Sequence, residues 1–197
     1  MITKKIEKLV QDTCRKETNQ FGFRAWSHHI ASVVKYTKLL AKKLGADQEI
    51  TEIAALLHDY ASVSNKDWYE DHHIHGARLA EEVLKQYDYP LEKIEKVKHC
   101  IFAHRGSKKI KRETIEAEIV ASADSMSHFD NIPALLELAY TVKKMKTDEG
   151  AEWVLNKIER SWKKLMPEAK EMMREKYEAI KIVLKSACLP AGRKSEF

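Results

Sequence analysis

The sequence predicts an all-α protein, and three observations carry that expectation. Only 6 glycines and 4 prolines occur in 197 residues, so turns are few and long helices are favoured. Apolar residues recur at helical spacing through most of the chain. No stretch shows the strict alternation of a half-buried strand. The length suffices for one domain with a well-buried core, 1–197.

The helices follow in order. The first is expected over 2–18, with Ile6, Leu9 and Val10 on one face. A loop containing Gly22 leads to Ser27, a candidate N-cap. The second helix carries Ile30, Val33, Val34, Thr37, Leu40, Ala41 and Leu44 as an apolar stripe, and Gly45 stops it. Asp47 can cap the third, whose apolar residues Ile50, Ile53, Ala54 and Leu57 run into His58 and Asp59. A polar loop is expected over 60–71. The fourth helix passes through Gly76, Ala80, Val83 and Leu84. Pro90 starts the fifth, with Leu91, Ile94, Val97 and Ile101 on its apolar face. A basic loop after His104 holds Arg105, Lys108 and Lys109. The sixth helix starts near Glu113 and reaches Asp124. Pro133, Asp148 and Pro167 open three more, and the tail from Leu189 frays.

Composition narrows the classes. Hydrophobic residues make up 44% and charged residues 33%, the balance of a soluble globular protein. The net charge of +5 is mild, and basic residues are interspersed with acidic ones. No nucleic-acid-binding motif is visible. The 3 cysteines, Cys14, Cys100 and Cys188, are scattered and form no C-x-x-C, which points to free thiols in a reducing cytoplasm. The N-terminus lacks an apolar signal core, and no apolar stretch is long enough to span a bilayer. The expected location is the cytoplasm.

Several polar residues interrupt apolar stripes. His58 and Asp59 end a helix that is apolar before them. His29 lies one turn before Val33. His104 continues the face of Ile101 and Val97, and Asp124 lies one turn after Val120. His73 shares a face with Gly76 and Ala80, and His72 lies one turn before Gly76. Taken singly, each is more often a hydrogen-bonded core group. As a set from separate helices, they demand mutual satisfaction, and imidazole with carboxylate suits a divalent cation. His28, His72, His75, His99 and His128 keep the plainer reading as surface or hydrogen-bonded groups. Trp68 reads as packing, and the charged faces of the last three helices read as solvated surface.

In order, His29, His58-Asp59, His73, His104 and Asp124 resemble the HD-domain superfamily of metal-dependent phosphohydrolases. Ala54-Ala55-Leu56-Leu57-His58-Asp59 looks like its central motif, and Ala121-Ser122-Ala123-Asp124 like its closing segment. The resemblance implies an HD-domain helical bundle with additional C-terminal helices. Its HD-like core spans 27–130, with helices over 131–188 packed on it. They would cover the site or form a homo-oligomer interface.

By this resemblance, His29, His58, Asp59 and Asp124 hold a divalent ion, with Asp59 and His58 as catalytic groups. The ion could be Mn, Mg, Co, Ni, Zn or Fe. His73 and His104 would bind a second ion or phosphate. Arg105, Lys108 and Lys109 would attract the substrate. The expected activity is hydrolysis of a phosphomonoester or phosphodiester in a nucleotide or other small phosphorylated compound, by a metal-activated water. Two alternatives remain: a two-iron oxygenase of the same superfamily, or a non-catalytic binding module.

Overall fold

In the computed structural model, which describes residues 1–105 and 110–188, helices carry the chain and no strand occurs among the described residues. The order is α1 (Ile2–Cys14), a π-helical turn (Ala25–Ile30) leading straight into α2 (Ala31–Leu44), α3 (Gln48–Leu57), α4 (Tyr60–Ser64) and α5 (His72–Lys85). There follow α6 (Leu91–Ala103), α7 (Ile115–Asp130), α8 (Ile132–Glu137), a second π-helical turn (Leu138–Val142), α9 (Thr147–Lys164) and α10 (Pro167–Ala187).

Local chemistry explains where these elements begin and end. Asp47 caps α3, its Oδ1 accepting from the backbone N–H groups of Glu49 and Ile50 at 3.0 and 3.1 Å. Thr114 caps α7 by accepting from Ala117 N–H at 3.2 Å. Other boundaries depart from expectation. α1 stops at Cys14 because the Asn19 amide donates to the Cys14 carbonyl at 3.0 Å and turns the chain. Ser27 is not an N-cap: the chain is already helical at Ala25, and the Ser27 hydroxyl lies 2.8 Å from His28 Nδ1. The stretch 60–71 is not all loop. Ala61, Ser62 and Val63 are buried, and their burial makes α4. Asp148 does not cap α9. Helical structure starts at Thr147, and Glu149 accepts from Lys146 N–H at 3.0 Å.

Two apolar cores meet along the central helices. The first gathers Ile6 and Val10 of α1, Ile53 and Leu57 of α3, Leu84 of α5, Ile101 of α6 and Val120 of α7. The second gathers Val33 and Leu40 of α2, Ile119 and Met126 of α7, Ile158 of α9 and Met173 of α10. Each fully buried aliphatic side chain contributes about 1.5–3 kcal/mol. α7 serves both cores and is buried on nearly all sides. A carboxylate on such a helix, as Asp124 is, must find polar partners inside the protein.

Gly76 fixes the approach of α5. A Cβ there would stand 3.1 Å from Ile101 Cγ2 and 3.5 Å from the His58 carbonyl oxygen. Its absence lets α5 pass close to the end of α3, which brings the first turn of α5 up to His58 and Asp59. Among the described residues, no helix is long and apolar enough to cross a membrane.

Candidate metal centre

Asp59 stands at the middle of the site. Its Oδ2 lies 3.1 Å from His29 Nε2 and 3.4 Å from His58 Nε2. Its Oδ1 lies 3.5 Å from His72 Nε2 and 4.0 Å from His104 Nε2. One carboxylate thus faces two imidazole pairs, one with each oxygen. Asp124 joins from α7, with Oδ1 3.6 Å from His29 Nε2 and 3.9 Å from His128 Nε2. Its Oδ2 lies 2.6 Å from Lys164 Nζ of α9.

The far side of each ring sets its tautomer. His58 Nδ1 donates to the Ala55 carbonyl at 2.8 Å, His72 Nδ1 to the Tyr69 carbonyl at 2.7 Å, and His104 Nδ1 to the Ile101 carbonyl. A carbonyl only accepts, so each Nδ1 carries the hydrogen. The Ser127 hydroxyl spends its proton on the Asp124 carbonyl at 2.7 Å. It therefore accepts from His29 Nδ1 at 2.9 Å. In the neutral rings every Nε2 presents a lone pair to the centre. Yet His29 Nε2 and His58 Nε2 stand 3.1 Å apart, as do His72 Nε2 and His104 Nε2. Two acceptors at that distance need a cation between them, either a proton or a metal ion. Backbone and hydroxyl anchors of this kind orient metal-binding histidines. The donor set is imidazole nitrogen and carboxylate oxygen throughout, which suits divalent ions of borderline to hard character.

Electrostatics shows the same demand. Burial opposes a charge on His58, but the Asp59 carboxylate overrides it and raises its pKa to about 9. Burial, then the charge of His58, pushes His104 down to about 3. Burial would raise Asp59, but His58 and His29 hold it well below the usual carboxylate range. Burial likewise opposes ionisation of Asp124, and the Lys164 ammonium holds its pKa low. Burial and the Lys157 ammonium keep His128 neutral.

Three groups of side chains could each hold an ion: His29, His58 and Asp59; His29, Asp124 and His128; and Asp59, His72 and His104. His29, His58, Asp59, Asp124 and His104 therefore converge. His73 belongs to none of these groups. It is buried one residue round α5, with Arg105 Nη1 at 3.5 Å and the Phe102 ring beside it. Its neighbour His72 faces the centre instead. Arg105 lines the polar lobe of the site and pairs with Glu70 at 3.1 Å. Lys108 and Lys109 lie outside the described residues.

Sequence reasoning missed two contributions. His128 is not a detached surface group: it stacks on His29 and its Nδ1 meets the Ser161 hydroxyl at 2.9 Å. The signal was its position one turn after Asp124. Nor is the face of α9 that carries Lys157, Arg160, Ser161 and Lys164 simply solvated, since all four line the polar lobe. Their spacing, three, four and seven residues from Lys157, puts them on one helical face.

The site has two lobes, of about 240 and 320 Å³. Together they fall within the ~300–1,000 Å³ of small-molecule sites. The smaller lobe is apolar and the larger polar.

Comparison with known proteins places this geometry. Residues 26–128, just over half of the chain, match the HD domain model. The chain therefore belongs to the HD domain family, and membership supports a metal-dependent phosphohydrolase in general. Ribonuclease Y of Alkaliphilus metalliredigens is 32% identical over 101 residues, and that of Thermoanaerobacter pseudethanolicus 32% over 112. These matches cover 50% and 57% of this chain but only 19% and 20% of the ribonucleases. An HD-superfamily hydrolase from Bacillus thuringiensis superposes with a TM-score of 0.69 at 19% identity, covering 94% of both chains. Bacillus subtilis YpgQ, solved with ADP, superposes with a TM-score of 0.65 at 19% identity, covering 93% of this chain and 94% of its own. At such identities the likeness shows the shared fold.

Proposed function

We propose that the protein hydrolyses a phosphate ester bond in a small, nucleotide-like substrate, using up to two divalent ions held around Asp59. The observation that carries this reading is the pair of imidazole couples whose lone pairs converge on the two oxygens of one carboxylate. His29, His58, Asp59 and Asp124 would hold one ion, with His128 against Asp124. Asp59, His72 and His104 would hold the other, so His72 takes the role that the resemblance gave to His73. When bound, such ions lower the pKa of a coordinated water and neutralise charge on phosphoryl oxygens.

The chain's own residues supply the rest. Asp59 would orient the attacking water and accept its proton, while His58, with its Nδ1 hydrogen given to the Ala55 carbonyl, would act by holding the ion beside that water. Arg105, Lys157, Arg160 and Lys164 line the polar lobe and hold the anionic substrate. Lys157 and Arg160 form no ion pair among the described residues, so their charge is available to a ligand. Burial pushes the Lys157 ammonium down, and a phosphate beside it would relieve that cost. Ser125 lines the same lobe, and its buried hydroxyl has no hydrogen-bond partner among the described residues. The lobe volumes fit a metabolite, and the ADP bound by YpgQ supports a ligand of that size and charge.

The test is a phosphate-release screen over nucleotides and sugar phosphates with Mn, Mg, Co, Ni, Zn and Fe(II), run on the wild type and on His58→Ala. The expected result is ion-dependent release that His58→Ala abolishes while the helical circular-dichroism spectrum persists. No release with any ion, or O₂ consumption by protein carrying two irons, would overturn the reading in favour of a binding module or an oxygenase.

A further inference from the structure

The smaller lobe opens from the same ligands. His29, Asp59, Tyr69, His128 and Lys157 line both lobes, so whatever is held at the metal centre reaches directly into the apolar side. One wall of that side comes from residues 20–30, including Phe21. The other comes from α8 and the π-helical turn after it, with Ala134, Leu135, Leu138 and Val142. Arg24 and Glu137 form an ion pair that joins the two walls, which cancels their charges. At the boundary of the lobes, the rings of Phe21 and Tyr69 lie 5.7 Å apart with a tilt of 49°. That spacing leaves no slot between the two rings, so a planar group would stack on the face that the pair turns to the lobe.

The far wall is built to stay put. Gly150 of α9 has no Cβ, and one placed there would stand 2.2 Å from Tyr140 Cε1. The Tyr140 ring therefore seats against α9, and its hydroxyl donates to the Thr147 carbonyl at 3.1 Å. That seat fixes Leu138, Thr141 and Val142 of the turn at the rim.

The lobe also offers a few polar groups. Ser62 lines it, and its buried hydroxyl has no hydrogen-bond partner among the described residues. Asn131 gives its Nδ2 to the Ser127 carbonyl at 3.1 Å, while its Oδ1 accepts no bond from the described residues. An aliphatic chain would bury apolar surface here but leave the Ser62 hydroxyl and Asn131 Oδ1 unanswered, and a sugar would carry many hydroxyls onto apolar walls. A planar heterocycle buries both faces and has donors and acceptors along its edge.

We infer that this lobe is the subsite for the heterocyclic ring of the substrate, so that the protein selects nucleosides carrying phosphate over sugar phosphates. The inference rests on the phosphohydrolase reading, since it places the phosphates at the metal centre and the α9 cations. Ala134, Leu138 and Val142 are the specificity-determining residues, and none of them belongs to the ligand sets given above.

The experiment uses the metal-loaded protein and three non-hydrolysed probes: adenosine 5′-(α,β-methylene)diphosphate, methylenediphosphonate and adenosine. Calorimetric titration gives each affinity for the wild type, for Ala134→Trp and for Val142→Glu. Ala134→Trp fills the lobe. Val142 is 63% exposed, so Val142→Glu changes the rim without threatening the fold. The expected result is that the nucleotide analogue binds the wild type about 10–100-fold more tightly than methylenediphosphonate, the gain from stacking and burying one base. Ala134→Trp should erase most of that advantage and Val142→Glu should reduce it. Methylenediphosphonate affinity should stay within about twofold in both. Equal binding of analogue and methylenediphosphonate by the wild type overturns the ring subsite but leaves the phosphohydrolase reading standing. An unchanged advantage in both variants, with circular dichroism showing them folded, does the same. Binding of adenosine without any binding of methylenediphosphonate supports the ring subsite and defeats the phosphohydrolase reading.

Discussion

The centre is lined by two regions with opposite charge logic. On the π-helical turn before α2, at the ends of α3 and α6, and on α5 and α7, histidines and aspartates face one another and leave too many acceptors. On α9, lysines and an arginine face the same space, and two of them lack a carboxylate partner among the described residues. The first region needs cations, and the second needs anions. A phosphorylated substrate on bound divalent ions meets both needs at once. Lys164 links the two regions by its ion pair with Asp124, and Ser161 by its hydrogen bond with His128.

This contrast can be broken at either end. The largest effect on turnover is expected in the acceptor-rich region. Asp59→Ala should lower kcat by roughly 10³-fold or more and remove most bound metal, because both imidazole pairs lose their shared carboxylate. Metal content and phosphate release together check it. In the cationic region, Lys157→Met should cost about 10–100-fold in kcat/KM, mostly through KM, with metal content unchanged. Steady-state kinetics beside elemental analysis separates that outcome from a general loss of structure.

A third change probes the scaffold beneath the cations. Ile158 is fully buried in the second core, beside the cationic face of α9. Ile158→Ala should cost about 2–5 kcal/mol of stability, read from denaturant unfolding, and change kcat/KM less than Lys157→Met does. The smallest effect concerns protons. In the metal-free protein His58 is raised to about 9. Its protonation therefore stabilises the metal-free fold fully below the unfolded value of about 6.5, and that contribution fades as pH rises through about 9. An entering metal ion must displace that proton. Calorimetry at about pH 7.5 in buffers of different ionisation enthalpy should show about one proton released per protein, and the release should vanish near pH 10.

The same contrast explains what the sequence revealed. His29, His58, His104 and Asp124 interrupt apolar stripes, and a polar residue where a core demands carbon is conspicuous. The fold was legible for the same reason, because helical apolar periodicity survives tertiary packing. His72 and His73 sit side by side on α5, and periodicity alone could not choose between them. The choice follows from the close approach at Gly76 and from the Tyr69 carbonyl that orients His72, both tertiary facts. Lys157, Arg160 and Lys164 were hidden for the opposite reason. Basic residues on the polar face of a helix look like ordinary surface. Only the seating of α9 against α7 turns that face inward. Short elements such as α4 and the start of the first π-helical turn escaped because they rest on local burial and turn geometry, not on a repeating pattern.

The most direct test of the central claim is metal content. Wild-type protein and Asp59→Ala are equilibrated with Mn²⁺, passed through a desalting column and analysed for bound metal. The account predicts one to two ions per wild-type chain and a loss of most of them in Asp59→Ala. Equal metal content in the two proteins would contradict it.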